Sequence, residues 1–314
     1  MTAENLAFVF PGQGSQKVGM LADLAAAHPI VEQTFAEASS VLGYDLWQLV
    51  QTGPQEELNL TERTQPMLLT ASVAVWRVWS EQGGAGPSLL AGHSLGEWTA
   101  LVCAGVVDFK DAVKLVQQRG KFMQEAVPKG EGAMAAVIGL DDEATKQACA
   151  QAQAAGDGVV AAVNFNSPGQ VVIAGSAAAV ERAGPLCKEA GAKKVMPLPV
   201  SAPFHTSLMQ PAADKLAEQI HATTFNAPLV PVVHNVNART ETDPEKIKGL
   251  MIAQISAPVL WSDCVRTMSE AGITQLVECG PGKVLSGLAK RIDKELAAYA
   301  TETADDLAQA LAAV

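Results

Sequence analysis

A uniformly apolar run, residues 6–10, lies near the start of the chain and ends at Pro11-Gly12-Gln13-Gly14. After that loop the apolar positions take up the longer spacing of a helix. A short apolar run closed by proline and glycine is typical of a buried strand. The chain therefore opens with a strand, a loop and a helix.

The same alternation returns before residue 92. Between Pro66 and Trp79 the apolar positions fit a buried helix, and the segment Gly83-Gly84-Ala85-Gly86-Pro87 then breaks the pattern. Ser88 to Ala91 is then a second strand, and it runs directly into Gly92. Strands that alternate with long helices predict an α/β fold built on a parallel sheet.

The order of elements changes between residues 130 and 199. The pattern there predicts four strands, with helices after the first and the third; the strands are 133–140, 159–164, 170–174 and 194–200, and the helices are 143–155 and 177–190. This βαββαβ order is that of a ferredoxin-like unit. We therefore expect a small domain, 130–199, inserted into a discontinuous larger domain of residues 1–129 and 200–314.

Composition and charge limit the class of protein. The chain has 314 residues, 48% of them hydrophobic and 18% charged, which is typical of a globular protein. Its formal net charge of −11 opposes non-specific binding to nucleic acid. No apolar stretch reaches the ~18 residues of a membrane span, no basic flank marks a secretion signal, and the five cysteines form no close pairs. We expect a cytoplasmic protein with reduced cysteines, acting as a monomer and away from membranes.

Residues Gly92-His93-Ser94-Leu95-Gly96 form a G-x-S-x-G motif between a predicted strand and a predicted helix. In this order the motif is a nucleophile elbow, a turn so tight that a side chain at either glycine would collide with backbone. A helix that begins at Leu95 would point its free N–H groups at the place where an oxyanion forms. The alternative is that Ser94 only caps the helix.

A serine nucleophile needs a base, and the chain has five histidines. His205 lies in a proline-framed loop after a strand, which suits a catalytic residue, and His234 is the main competitor. His28 and His221 are expected on the surface, and His93 is expected to point away from the serine. No acidic residue between Ser94 and His205 stands out as a third triad member, so a neutral group such as a backbone carbonyl could orient His205.

Six motifs, in order along nearly the whole chain, resemble those of the malonyl-CoA:acyl carrier protein transacylases and the related acyltransferase domains of polyketide synthases. They are FVFPGQGSQ at 8–16, GHSLGE at 92–97, QRG at 118–120, NFNSPGQ at 164–170, SAPFH at 201–205 and ECGPG at 278–282. The resemblance implies an α/β-hydrolase-like parallel-sheet core with a ferredoxin-like insert.

The resemblance also implies a reaction and its residues. Such an enzyme loads a malonyl group from malonyl-CoA onto a serine and passes it to the phosphopantetheine thiol of acyl carrier protein for fatty-acid synthesis, with no cofactor or metal beyond the thioester. The implied roles are nucleophile for Ser94, base for His205, orientation of His205 by the backbone carbonyl of Gln254, an oxyanion hole from the N–H groups of Gln13 and Leu95, and carboxylate binding by Arg119.

The residue types agree with these roles. A buried guanidinium holds a carboxylate through two parallel hydrogen bonds, so Arg119 would favour a malonyl over an acetyl group. Its alternative is a surface arginine paired with a glutamate. Arg119 follows an apolar stripe and Met123 lies one turn on, so this helix could line a pocket. A bulky Phe204 beside His205 would crowd a branched acyl chain.

Two other activities stay open on the sequence alone. A serine esterase or thioesterase would use water in place of the carrier thiol; it predicts a carboxylate beside His205 and has no need of Arg119. A non-catalytic carrier-binding protein on the same scaffold would tolerate the loss of Ser94.

Overall fold

The computed structural model describes residues 2–200 and 202–314. Met1 and Ser201, the first residue of the SAPFH motif, lie outside this part of the chain. The strands are β1 Thr2–Phe10, β2 Gly86–Gly92, β3 Gly132–Ile138, β4 Val160–Ser167, β5 Gln170–Ser176, β6 Lys194–Pro197, β7 Val232–Val233, β8 Gln275–Glu278 and β9 Ala297–Ala300. The helices are α1 Ala22–Ala27, α2 Ile30–Leu42, α3 Leu46–Thr52, α4 Gln55–Leu58, α5 Thr61–Glu81, α6 Leu95–Cys103, α7 Phe109–Glu125, α8 Asp142–Ala154, α9 Ala177–Glu189, α10 Gln210–Ala222, α11 Pro244–Gln254, α12 Trp261–Glu270, α13 Val284–Ile292 and α14 Ala304–Ala313.

The larger sheet has the strand order β7-β2-β1-β8-β9, and every neighbouring pair is parallel. Its central strand, β1, is buried on both faces. Leu6, Phe8 and Phe10 pack into one hydrophobic cluster, whereas Ala7 and Val9 pack into another on the opposite face. A parallel sheet covered on both faces explains why residues 6–10 are apolar without alternation.

The smaller sheet has the order β4-β5-β3-β6, and all its pairs are antiparallel. Residues of α8 and α9 pack against one of its faces in a separate cluster. This order and the two helices are those of a ferredoxin-like unit, so the predicted fold class is confirmed. Its elements lie between residues 132 and 197.

Main-chain hydrogen bonds tie the smaller sheet to the rest of the chain. The Phe165 N–H donates to the Val259 carbonyl at 3.0 Å, and the Val259 N–H donates to the Val163 carbonyl at 2.8 Å. Val259 lies just before α12, between that helix and Gln254. The small sheet is therefore fixed against the segment that reaches the cleft described below.

Several predicted boundaries differ from the structure, and three of them have a clear local cause. The connection predicted between strands 159–164 and 170–174 is shorter, because β4 continues to Ser167 and pairs with Gln170 across a two-residue turn. The last strand of the small sheet ends at Pro197 rather than residue 200, where a proline-rich segment offers few N–H donors. The helix predicted from Pro66 begins at Thr61, with the proline inside it.

Within residues 2–200 and 202–314, no helix is long and apolar enough to cross a membrane.

Candidate active site

Ser94 lies at the tip of a strand-to-helix turn, between β2 and α6. Its backbone has φ 53° and ψ −107°, a conformation that a residue with a side chain rarely adopts. A side chain at Gly92 would meet the backbone of Gly96, and one at Gly96 would meet the Phe10 carbonyl. The turn therefore requires both glycines of the motif.

The loop after β1 packs against this turn. A Cβ at Gly12 would lie only 2.6 Å from the carbonyl oxygen of His93, so glycine permits the close approach. Gln13 follows and lines the same cleft as Ser94. The N–H of Leu95 opens α6 and has no acceptor within that helix.

His205 is in direct contact with the serine. Its Nε2 lies 2.7 Å from Ser94 Oγ, and its Nδ1 lies 2.9 Å from the Gln254 carbonyl oxygen. A carbonyl only accepts, so Nδ1 carries the proton and Nε2 is free to accept from the serine hydroxyl. Burial, and then the charge of Arg119, lower the pKa of His205 to about 3, which keeps the imidazole neutral at pH 7.

Arg119, on α7, is buried with only 1% of its surface exposed. Its Nη1 donates to Gln65 Oε1 at 2.8 Å, and its Nη2 donates to Gln254 Oε1 at 3.0 Å and to Ser94 Oγ at 3.3 Å. Its Nε has no partner among the described residues. Burial lowers the pKa of the guanidinium to about 10, against the opposing charge of Glu97, so the group remains a cation at neutral pH. The surface arginine paired with a glutamate is thus not what the structure contains.

A cleft of about 420 Å³ collects these groups. Its wall includes seven of the eight predicted site residues: Gln13, Ser94, Leu95, Arg119, Met123, Phe204 and His205. The eighth, Gln254, is fully buried behind them and contacts both His205 and Arg119. The small sheet contributes Met134 and Asn164 to the opposite side. The cleft therefore lies between the two sheets.

His234, the competing candidate base, is occupied elsewhere. It is fully buried, and its Nδ1 lies 2.7 Å from Glu97 Oε1. Glu97 thus contacts His234, whereas His205 is contacted by a backbone carbonyl. Of the acids between Ser94 and His205, Asp108 and Asp141 cap helices.

Several residues of the site have no clear signal in the sequence. Gln65 and His93 line the cleft, and His93 Nε2 lies 2.7 Å from Asn166 Oδ1 on the small sheet. Burial lowers the pKa of His93, so its ring is neutral here. Asn166, on β4, thus binds a side chain of the cleft wall. The available signals are that His93 lies next to Ser94 and that both asparagines, Asn164 and Asn166, belong to one motif.

Comparison with known proteins gives the class first. Residues 7–304 match the family described as "Acyl transferase domain". The chain belongs to this acyl transferase family, and it is an enzyme of the acyltransferase class.

Its relatives carry a more particular name. The chain is 62% identical to the Malonyl CoA-acyl carrier protein transacylase of Escherichia coli (strain K12) over 305 residues, covering 97% of this chain and 98% of that protein. It is 46% identical to the protein of the same name in Bacillus subtilis (strain 168), covering 98% and 96%. The resemblance drawn from the six motifs is therefore confirmed.

Solved structures agree with this grouping. The malonyl-CoA:acyl carrier protein transacylase of Xanthomonas oryzae pv. oryzae has a TM-score of 0.97 at 54% identity, covering 100% of this chain and 99% of that one. A malonyl-transacylase solved in complex with its type II PKS acyl-carrier protein has a TM-score of 0.96 at 58% identity, covering 98% and 99%.

Proposed function

We propose that this chain transfers a malonyl group from malonyl-CoA to the phosphopantetheine thiol of an acyl carrier protein, through an ester on Ser94. One observation carries the proposal: the hydroxyl of Ser94 lies 2.7 Å from His205 Nε2 and 3.3 Å from Arg119 Nη2, in one cleft. A base and a carboxylate-binding cation thus meet at a single nucleophile. The names of the relatives support the same substrates.

In the proposed first half-reaction, His205 Nε2 takes the proton from Ser94 as Oγ bonds to the thioester carbonyl carbon. The negative charge that forms on the carbonyl oxygen is stabilised by the N–H groups of Gln13 and Leu95. When the carbon–sulfur bond breaks, the coenzyme A sulfur leaves with the proton held by His205. Malonyl-Ser94 remains, and His205 is neutral again.

The second half-reaction reverses these steps with a different thiol. The carrier thiol gives its proton to His205 Nε2 and attacks the serine ester, and the oxygen of Ser94 regains the proton as it leaves. The backbone carbonyl of Gln254 holds the imidazole throughout. Each proton and electron pair is returned, so the transfer needs no cofactor beyond the thioester itself.

Arg119 supplies the proposed preference for malonyl. Its two contacts with glutamine oxygens leave its positive charge uncompensated by any carboxylate contact among the described residues. A malonyl carboxylate would pair with this charge, whereas an acetyl methyl would leave a buried cation unpaired, at a cost of several kcal/mol. Selectivity on the order of 10² or more follows. Met123 and Phe204 bound the space left for the acyl chain.

The esterase alternative is the weaker one. It predicts a carboxylate at His205 Nδ1, but the atom there is the Gln254 carbonyl oxygen, and the buried Glu97 contacts His234 instead. The non-catalytic alternative leaves unexplained why a strained serine is held at 2.7 Å from a neutral imidazole.

Intact-protein mass spectrometry tests the proposal. Wild type, Ser94→Ala and Arg119→Ala are each incubated with malonyl-CoA or acetyl-CoA, and acyl carrier protein is then added. We expect a malonyl adduct on wild type that moves to the carrier, no adduct on Ser94→Ala, and a lost preference for malonyl in Arg119→Ala. An adduct that survives Ser94→Ala, or one that water removes faster than the carrier does, would refute the transfer.

We further propose that the transfer serves fatty-acid synthesis in the cytoplasm and that the enzyme acts as a monomer. A polyketide carrier is the second candidate, because one similar structure is a malonyl-transacylase bound to a type II PKS acyl-carrier protein. Transfer rates to purified carriers of both kinds distinguish the two pathways. Sedimentation at assay concentration tests the monomer.

A further inference from the structure

Two side-chain amides hold the backbone of the nucleophile. Asn235 Oδ1 accepts from the Ser94 N–H at 2.8 Å, and Asn235 Nδ2 donates to the Gly92 carbonyl at 2.7 Å. Gln254 Nε2 donates to the Ser94 carbonyl at 2.9 Å. We call the side chains of Asn235 and Gln254 the amide clamp. Both residues are fully buried.

Glu97 fixes the direction of the clamp. Its Oε2 accepts from Gln254 Nε2 at 2.6 Å and from the Asn235 N–H at 3.2 Å. A carboxylate accepts hydrogen bonds, so it draws the amide NH₂ of Gln254 toward itself and turns the amide oxygen toward Arg119. Glu97 lies on α6, one turn after Ser94. The Glu97 carboxylate therefore orients the Gln254 amide in both its contacts, the one with the Ser94 carbonyl and the one with Arg119.

The clamp holds Ser94 in the positive-φ conformation that the turn requires. A residue at positive φ keeps that conformation only where the surrounding contacts over-determine it. Here the N–H and the C=O of Ser94, and the C=O two residues before it, are all bound by side chains from distant parts of the chain. Because Asn235 occupies the Ser94 N–H, the next N–H, that of Leu95, is the one left for an oxyanion.

We infer that Asn235 is a positioning residue, which holds the Ser94 hydroxyl in line with His205 through the Gly92 and Ser94 backbone, with Glu97 orienting the clamp. This inference rests on the proposed Ser94 acyl-enzyme. It concerns the rate at which Ser94 reacts rather than the identity of the acyl group, because Asn235 touches neither Arg119 nor the cleft.

The test is Asn235→Asp, which keeps the shape and the acceptor for the Ser94 N–H but loses the donor to the Gly92 carbonyl. At pH 8 we expect single-turnover acylation by malonyl-CoA to fall about 10- to 100-fold, as for loss of one buried donor, with KM little changed. As pH falls toward 5 the aspartate takes up a proton, which burial and Glu97 both favour, and its O–H can donate to Gly92. Acylation by the variant should then recover, whereas wild-type acylation should not rise.

Asn237→Asp is the matched control. It introduces the same change two residues away at an exposed position, and it keeps the Oδ1 that accepts from the Arg239 N–H. This variant should acylate at the wild-type rate at both pH values. Circular dichroism and the melting temperature verify that each variant is folded.

If Asn235→Asp does not fold, Gln254→Met takes its place, because methionine keeps the backbone carbonyl that binds His205 and removes the amide donor. Modification of Ser94 by a small sulfonyl fluoride, which has no carboxylate for Arg119, should slow at least tenfold in that variant.

A folded Asn235→Asp that matches wild type at pH 8, or that loses activity equally at every pH, would overturn the inference. Unslowed sulfonylation in Gln254→Met would show that the clamp does not set the rate at which Ser94 reacts, and would also overturn the inference. A wild-type protein that forms no malonyl-Ser94 would instead overturn the proposed function. The two failures are therefore distinct.

Discussion

At the scale of single residues, the charge of Arg119 acts on His205. The guanidinium is the second cause, after burial, of the low pKa of the imidazole, because a nearby cation disfavours the protonated ring. One side chain thus serves two ends in the proposed reaction: it attracts a carboxylate, and it keeps the base unprotonated. With that pKa about 3, acid should not inactivate the free enzyme through His205 above about pH 5.

Replacing Arg119 with alanine should raise the pKa of His205 toward, but not beyond, ~6.5. His205 is then protonated at a higher pH in the variant than in wild type. The variant therefore loses its base at a higher pH, and the acid limb of its rate profile moves to higher pH. The rate of Ser94 sulfonylation against pH measures this without a carboxylate substrate. Arg119→Lys keeps the charge and should keep the wild-type limb. An unmoved limb in the alanine variant would show that burial alone sets the pKa.

At the scale of elements, the ECGPG motif at 278–282 stabilises the start of α13 and is not part of the cleft. We call this motif the brace. The Glu278 carboxylate accepts from the N–H groups of Leu285 at 3.1 Å and Ser286 at 2.7 Å, which satisfies two free donors at the start of α13. None of its residues lines the cleft. This motif of the family resemblance therefore has a structural role rather than a place in the cleft.

Gly280 connects this brace to the active-site loop. Its φ is 138°, and a side chain there would meet Ser72 Oγ and press on the ring of Pro11 at 3.0–3.1 Å. Gly280→Ala should displace Pro11 and with it the N–H of Gln13. We expect kcat to fall about tenfold or more, as for a misplaced oxyanion donor, with a smaller change in KM.

Gly287→Ala is the control for that change, because a Cβ at Gly287, on α13, has no neighbour within 4 Å. Steady-state kinetics at saturating carrier give both parameters. Equal kcat in the two variants would contradict the brace.

At the scale of the whole molecule, the proposed nucleophile and the proposed base come from different sides of the cleft. Ser94 follows a strand of the larger sheet, and His205 follows the last strand of the smaller one. The bonds between Val259 and β4 fix the smaller sheet against the segment that joins α11 to α12. Among the described residues no carboxylate contacts Arg119 in the cleft, so a small dicarboxylate that pairs with this charge should stabilise the folded state.

Malonate should therefore raise the melting temperature of wild type. Ligand at 100 times its Kd stabilises a protein by about 2.7 kcal/mol, and Arg119→Ala should lose the effect. Differential scanning calorimetry at constant ionic strength measures it, with acetate as the control ligand. An equal shift in wild type and the alanine variant would place malonate outside the cleft.

Much of this arrangement could be predicted because it depends on short-range sequence patterns. The buried strand at 6–10, the glycines around Ser94 and the βαββαβ order each depend on residues close in sequence. Glu97 and Asn235 could not be found in the same way, since their partners lie up to 143 residues away and only the tertiary fold brings them together. The role of Gln254 came from the family resemblance, because a backbone carbonyl leaves no mark on residue type.

The five cysteines have a consequence for a protein that handles thioesters. Every one is unpaired, four are buried and the fifth, Cys103, is half-buried. Burial raises the pKa of all five thiols, so they stay protonated at neutral pH. A protonated thiol is a poor nucleophile, and four of the five are also inaccessible. Burial thus keeps all five thiols in their unreactive form, so we expect self-acylation at sulfur to be suppressed.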